Sequence, residues 1–439
     1  MAADSTSEFH LDKLVLRNFR RFLEFTIDFA PDVTVLVGAN GAGKSAVLDA
    51  ASIAIGTYLI KFNLPQGSKR TIGTEDARIV EDTFLPDYPV RIEAEGTIDG
   101  TAMAWVRSKE TEQGNTRYGE ATDLVAASER AWNSITQAEP EPGVEPVVLP
   151  IISYYGTGRL WAQKRDRSGT VPLTKRGRRQ DGYAAALEPK ADESSLLSWL
   201  KRNTLIRLQE DEPVPTLEAV NAAIEGVFQA ITGAADASVE WNVKRDALLV
   251  TYVNEQGHQV QLPLEQLSDG YRTTLGMVAD IAYRMAELNP QLGAAVLEKT
   301  GGVVLIDEVD LHLHPRWQER ILGDLRAVFP GVQFIVTTHA PSVISSVTRD
   351  HVRVIDETGG HTPARETYGR DVPSVFREVM DAHERPANVL QLISEIDDSF
   401  VSENYELAES QIDALEELVG DTDPEVAGLR VALDLERLD

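Results

Sequence analysis

The chain has 439 residues, 42% of them hydrophobic, no cysteine, and a formal net charge of −28 from 42 basic against 70 acidic residues. That length allows two or three domains around a sizeable core, and the lack of cysteine excludes a disulfide framework and thiolate metal sites, as expected of a cytoplasmic protein. So negative a chain does not coat nucleic acid uniformly, and neither an apolar signal core nor a run of ~18 apolar residues is present to cross a bilayer.

Three strand-like runs open the chain at Leu11–Arg17, Phe22–Phe29 and Val33–Val37. The third ends in a glycine-rich turn and a helical stretch. Alternating runs follow at Val90–Ile98 and Met103–Val106, then a helical stretch at Asp123–Gln137 and a proline-rich linker at Glu139–Pro146. Val147–Ser153 reads as a buried strand, and the basic, aperiodic stretch after it, about 159–182, as a mobile loop. Helices are expected at Ser194–Leu208, Leu217–Ile231 and Asp269–Leu288, and strands at Val239–Val243, Leu248–Val253, Gln259–Leu262, Val303–Ile306 and Gln333–Val336. The last two have the spacing of parallel strands joined by crossovers. From Val389 the chain is helical and acidic. Charge is polarised: Arg159–Arg179 holds eight basic residues against Asp166 alone, whereas Glu395–Asp439 holds fifteen acidic residues against Arg430 and Arg437.

Gly38-Ala39-Asn40-Gly41-Ala42-Gly43-Lys44-Ser45 matches a phosphate-binding loop between strand and helix. In such a loop backbone N–H groups and the helix N-terminus cradle phosphates, the lysine reaches the β and γ phosphates of ATP, and the serine ligates Mg2+. Asn40, Gly41, Gly43, Lys44, Ser45 and Ala46 are therefore candidate nucleotide-binding residues. Gly302-Val303-Val304-Leu305-Ile306 ends in Asp307-Glu308, two carboxylates at the C-terminal edge of a parallel sheet, where ligands bind. Asp307, with Ser45, is the candidate for Mg2+, and Glu308 the candidate to deprotonate the attacking water.

Three further segments narrow the class by resemblance. Leu267-Ser268-Asp269-Gly270-Tyr271-Arg272 resembles the ABC signature, with Asp269 and Tyr271 departing from the usual Ser-Gly-Gly-Gln; Ser268 also reads as an ordinary helix N-cap. Val309-Asp310-Leu311-His312-Leu313-His314-Pro315 resembles the D-loop, and Thr337-Thr338-His339-Ala340-Pro341 the switch-histidine segment of that family. The resemblance implies that Ser268 and Gly270 of one subunit meet the γ-phosphate held by another, and that Glu308 and His339 act in hydrolysis. His312 and His314 form a pair without a third metal ligand and are read as D-loop residues. The Q-loop falls near Tyr154–Arg159, with Gln163 the nearest glutamine. Asn18-Phe19-Arg20-Arg21-Phe22 resembles the opening of SMC- and RecF-type ATPases, making Arg20 a candidate nucleotide contact or a solvent-facing arginine.

The expected fold is α/β: an ABC ATPase head with a mixed sheet and helices, a compact α/β insert and a helical C-terminal region. Its expected parts are an N-lobe at 1–60, an insert at 61–235, a C-lobe at 236–385 and an acidic helical tail at 386–439. The single phosphate loop and missing membrane segment resemble the SMC/RecF/OLD branch. Tyr154–Trp161, Leu311–Gln318, Tyr368–Asp371 and Glu384–Pro386 resemble bacterial anti-phage ATPases of the PtuA type, of Septu or retron systems. That resemblance implies an ATP-hydrolysing switch that pairs with itself and controls a separate effector, an HNH nuclease or a toxin, for which the acidic tail offers a docking surface. Two alternatives stand beside it: a RecF-like repair ATPase using the basic stretch Arg159–Arg179 on nucleic acid, and a soluble transporter-type subunit whose membrane half would be another chain.

Overall fold

The computed structural model describes residues 8–65, 68–136, 146–158, 178–189, 193–234, 236–254, 256–380 and 385–437. Most of the basic stretch, 159–177, and with it Gln163, lies outside the described residues, as does Glu384.

Residues up to Val372 form one compact unit, built on three sheets. The first is antiparallel, in the order β2-β1-β4-β5, from β1 (Phe9–Phe19), β2 (Phe22–Asp28), β4 (Val90–Ile98) and β5 (Thr101–Lys109). Alternation puts Leu14, Leu16, Phe22, Phe25, Ile92 and Trp105 inside. Asp99 and Gly100, both at positive φ, close the β4–β5 hairpin in two residues, as the twist of paired strands favours. Pairing then runs from Ile98↔Thr101 to Val90↔Lys109, which lengthens β5 beyond the expected Met103–Val106.

The second sheet has the order β13-β12-β3-β11-β10-β6, from β3 (Val33–Val37), β6 (Ile151–Tyr155), β10 (Gly302–Ile306), β11 (Val332–Thr337), β12 (Val352–Ile355) and β13 (Gly360–His361). All its pairings are parallel except β12 with β13. β3, β10 and β11 are buried along their whole length, which explains their unbroken apolar, β-branched runs. β6 starts later than the expected Val147 because Pro150 has no N–H for the ladder; before it, the Leu149 N–H donates to the Asn289 side chain at 2.8 Å. Tyr154 and Tyr155 are thereby strand residues. The segment read as an insert contributes β4 and β5 to the first sheet and β6 to the edge of the second.

Helix α1 (Lys44–Ile55) follows β3 and lies between the two sheets, packing on β1, β4 and β5 and on β10 and β11. Every residue in it but Ser45 is buried, and Trp105 Nε1 donates to the Ala54 carbonyl at 3.0 Å. The sheets are also joined by a buried glutamine. Pairing of β1 with β2 ends at Lys13↔Asp28, which leaves the Leu11 peptide without a strand partner on that side, and Gln333 on β11 supplies one. Its Oε1 accepts from Leu11 N at 2.8 Å, and its Nε2 donates to Leu11 O at 2.8 Å and Ala30 O at 2.7 Å. Gln333→Leu should lower unfolding free energy by about 1–3 kcal/mol through the unpaired groups it leaves, readable as a lower midpoint in thermal or urea unfolding.

Helices α2 (Thr122–Thr136), α3 (Glu193–Glu210), α4 (Pro215–Thr232) and α5 (Asp269–Leu288), the third sheet of β7 (Ser238–Asn242), β8 (Ala247–Val253) and β9 (Gln259–Pro263), and several shorter helices also belong to the unit. The buried α5 carries an ion pair: Arg284 Nε donates to Asp280 at 2.7 Å, and the Tyr155 hydroxyl donates to the same carboxylate at 2.7 Å. Burial pulls the Arg284 pKa down, but Asp280 and Tyr155 outweigh it and hold the guanidinium above its usual value.

Residues from Pro373 form a second unit. Its helices Ala387–Val401, Tyr405–Val419 and Pro424–Glu436 share a small core that includes Val389, Ile396, Ile412, Leu415, Val426 and Leu433. Arg385 grips Asp423 with two bonds of 2.9 and 3.1 Å. Arg430 pairs with Asp413 and Glu416, and Arg437 with Glu409, so both arginines of this acidic segment have carboxylate partners within it.

Candidate functional site

The parallel strands all end at one edge, and the chain leaves them there in the segments singled out above. In register, Ile306 lies beside Val336 and Tyr155, and Thr337 beside Leu36. The turn after β3, the acidic pair after β10 and the histidine segment after β11 therefore emerge side by side. Asn40, Gly41, Gly43, Lys44, Ser45, Ala46, Asp307, Glu308, Thr337 and His339 line one open cleft of about 280 Å3.

The loop owes its shape to its glycines. Gly43 stands at φ 104° immediately before α1, and a Cβ there would come within 2.4 Å of the Phe22 ring, so a larger residue would be strained at that φ and would have to push the buried ring aside. Lys44 is buried, and its ammonium donates to the carbonyls of Gly38 at 2.8 Å and Ala39 at 3.2 Å. Burial lowers its pKa, opposed by Asp307, Glu308 and Asp310 across the cleft. The cleft thus sets the first turn of a helix and a cation opposite the carboxylates of Asp307 and Glu308, and the helix end and cation are suited to phosphate groups.

Thr337, which the sequence reading left without a role, organises the carboxylates. Its hydroxyl donates to Asp307 Oδ1 at 2.6 Å and accepts from the Glu308 N–H at 2.7 Å. Glu308 has φ 49°, a conformation costly for a side-chain-bearing residue, and the Thr337 bond is one of the contacts that hold it. The next threonine repeats the device, with the Thr338 hydroxyl donating to Asp310 Oδ1 at 2.6 Å. From the other side, the Asp307 N–H donates to the Tyr155 carbonyl at 2.8 Å. Thr337→Val should leave the fold standing and lower turnover by about 10- to 100-fold, the range expected for one lost hydrogen bond to a charged group, with nucleotide affinity little changed. Steady-state ATPase rates alongside equilibrium nucleotide binding would show that split.

Ser45 and Asp307 offer a hydroxyl and a carboxylate to the same cleft, the oxygen donor set that Mg2+ takes when phosphate oxygens and water complete its shell. Among the described residues no cluster of three or more His, Cys, Asp or Glu side chains could hold a metal ion by itself.

Three expected residues lie elsewhere in the unit. Ser268 and Gly270 do not line the cleft; they begin α5 and pack on the D-loop, where a Cβ on Gly270 would come within 2.4 Å of the His312 carbonyl. Arg20, read as a nucleotide contact or a solvent-facing arginine, is not among the residues that line it. Its guanidinium pairs with Asp49 of α1 and, at 2.9 and 3.0 Å, with Asp76. These carboxylates more than offset the effect of burial and raise its pKa. The adjacent Arg21 touches the phosphate loop instead, donating to the Gly41 carbonyl. Both residues sit in the same Arg-Arg turn, and sequence spacing does not distinguish them.

The AAA domain family profile matches residues 13–232, half of the chain. The chain is 23% identical over 428 residues to a Retron Vc95 probable ATPase from Vibrio cholerae serotype O1 biovar El Tor, covering 87% of this chain and 81% of that protein. It is 42% identical over 94 residues to the Septu protein PtuA of Bacillus mycoides (strain KBAB4), covering 21% of this chain and 12% of that one. Among solved structures, the SMC head domain from Thermotoga maritima aligns at 17% identity and a TM-score of 0.40, covering 77% of this chain and 92% of that domain.

Proposed function

Because the chain belongs to the AAA domain family, we propose that it is an ATP-hydrolysing switch whose site is completed by a second copy of itself. One observation carries this reading. The cleft gathers the phosphate loop, Asp307, Glu308 and His339, while Ser268 and Gly270 stand outside it, Gly270 against the D-loop carbonyl of His312. Two copies arranged head to tail would bring the signature of each onto the nucleotide held by the other.

In this reading Lys44 and the N–H groups opening α1 bind the β and γ phosphates. Ser45 and Asp307 hold Mg2+, which supplies charge neutralisation on the phosphate oxygens. Glu308 orients a water in line with the γ-phosphate and accepts its proton, and His339 contacts the same phosphate. Release of phosphate removes the group that joins the two copies, so hydrolysis opens the dimer. Light scattering of Glu308→Gln tests the assembly: ATP should double the mass, and adding Ser268→Arg should abolish the increase. A monomer in ATP, or a dimer indifferent to nucleotide and to Ser268, would refute it.

Similarity to a retron probable ATPase and to the Septu protein PtuA supports a role in anti-phage defence, with the nucleotide state controlling a separate nuclease or toxin. No helix among the described residues is long and apolar enough to cross a membrane. Purifying tagged Glu308→Gln from its host in ATP should recover a stoichiometric small effector. Recovery of the protein with nucleic acid and no effector would replace that role with a DNA clamp.

A further inference from the structure

A hairpin finger and an aromatic cleft in the same unit are unaccounted for by the nucleotide site. The finger runs from Arg78 to Asp87, closed by Asp87 N to Arg78 O at 2.7 Å and Val80 N to Leu85 O at 3.0 Å. Its stem continues the β1–β2 turn, with Arg78 N donating to Asn18 O at 2.9 Å, and that turn touches the phosphate loop through Arg21. The finger therefore springs from beside the nucleotide cleft. At its tip Phe84 is 80%, Leu85 63% and Ile79 49% exposed. A contiguous apolar tip of this kind marks an interaction site, unlike scattered surface residues. Phe84 is also held at φ 54°, a conformation that costs energy for an aromatic residue.

The second feature is a cleft of about 450 Å3 whose walls include Phe228, Ala234, Tyr252, Val253, Leu267 and Tyr271. Leu267 and Tyr271 flank the signature residues Ser268 and Gly270. Phe228 packs against Tyr252 and Tyr271 with ring centroids 5.2 and 6.0 Å apart, and Tyr271 continues onto Trp317 at 4.4 Å. Among the described residues no charged side chain lines the cleft, which favours apolar side chains over a phosphate-bearing ligand.

We propose that the Phe84–Leu85 tip of one copy docks in the aromatic cleft beside the signature of a second copy, a lock that strengthens the ATP-bound dimer and selects this chain as its own partner. The inference rests on the head-to-tail reading, which brings the phosphate-loop edge of one copy against the signature of the other. The finger lies on the first of these surfaces and the cleft on the second, so each copy carries one half of two equivalent contacts. It also gives Tyr271, which stands where the signature normally has glutamine, a contact of its own.

The test measures dimer dissociation constants in ATP by sedimentation, in the Glu308→Gln background. Phe84→Asp, at a solvent-facing position, and Ala234→Trp, which fills the cleft, should each weaken the dimer at least about tenfold while ATP binding to the monomer stays the same. The chain has no cysteine, so copies carrying Leu85→Cys should cross-link through a short bis-maleimide only to copies carrying Asn254→Cys, and only in ATP. If Ser268→Arg abolishes the dimer but Phe84→Asp and Ala234→Trp leave it unchanged and no cross-link forms, the lock is overturned and the head-to-tail reading stands. If Glu308→Gln forms no ATP-dependent dimer, both fall together.

Discussion

Glu308→Gln is expected to bind ATP as tightly as the parent chain and to hydrolyse it about 100- to 10,000-fold more slowly, the range lost with a general base. Removing a carboxylate from a cleft that already holds Asp307 relieves repulsion against triphosphate, so affinity should hold or rise. The amide keeps the shape of the side chain, and the backbone bond from residue 308 to Thr337 is untouched, so the fold should be unaffected. Single-turnover hydrolysis with labelled ATP measures the loss. A rate within a few-fold of the parent would remove Glu308 from its assigned position and leave the activation of water to another group in the cleft.

Lys44→Ala should abolish binding at the working concentration of ATP, with affinity down by at least about 100-fold. Two charge-assisted bonds to phosphate are lost, each worth about 1.5–3 kcal/mol. Lys44 is buried and donates to two carbonyls of its own loop; alanine leaves those carbonyls to water, so only a small loss of stability is expected beside the loss of binding. Titration of a fluorescent ATP analogue distinguishes the two effects, and affinity close to that of the parent would contradict the phosphate-loop assignment.

What the sequence made legible was local. The phosphate loop, the Asp307-Glu308 pair and the segment ending at His339 are contiguous motifs attached to short buried strands, so reading them placed the strands as well. β3 and α5 have the bounds expected of them. The mixed sheets and the helical C-terminal unit also agree with the expected class, and the resemblance to the ATPases of retron systems and to PtuA-type proteins is supported by the relatives found.

What escaped depends on pairing between distant segments. Gln333 reads as a polar interruption of an apolar strand until Leu11 arrives from 322 residues away. Thr337 looks like an ordinary β-branched strand end until β10 sets Asp307 and Glu308 beside it. Arg20 and Arg21 are adjacent in sequence, and only Asp49 and Asp76, which capture Arg20, leave the phosphate loop to Arg21. The short β12 and β13 had no periodicity to reveal them; β12 exists because β3 offers it an edge.

The central claim, that each active site is shared between two copies, is tested most directly by mixing two inactive variants. Lys44→Ala lacks a nucleotide cleft but keeps its signature, and Ser268→Arg keeps the cleft but lacks the signature. If the site is composite, each should be inactive alone, and an equal mixture should recover up to about a quarter of parental ATPase activity, because half the dimers carry one complete site. A mixture as inactive as its components, or a Ser268→Arg protein that hydrolyses ATP at the parental rate by itself, would contradict the account.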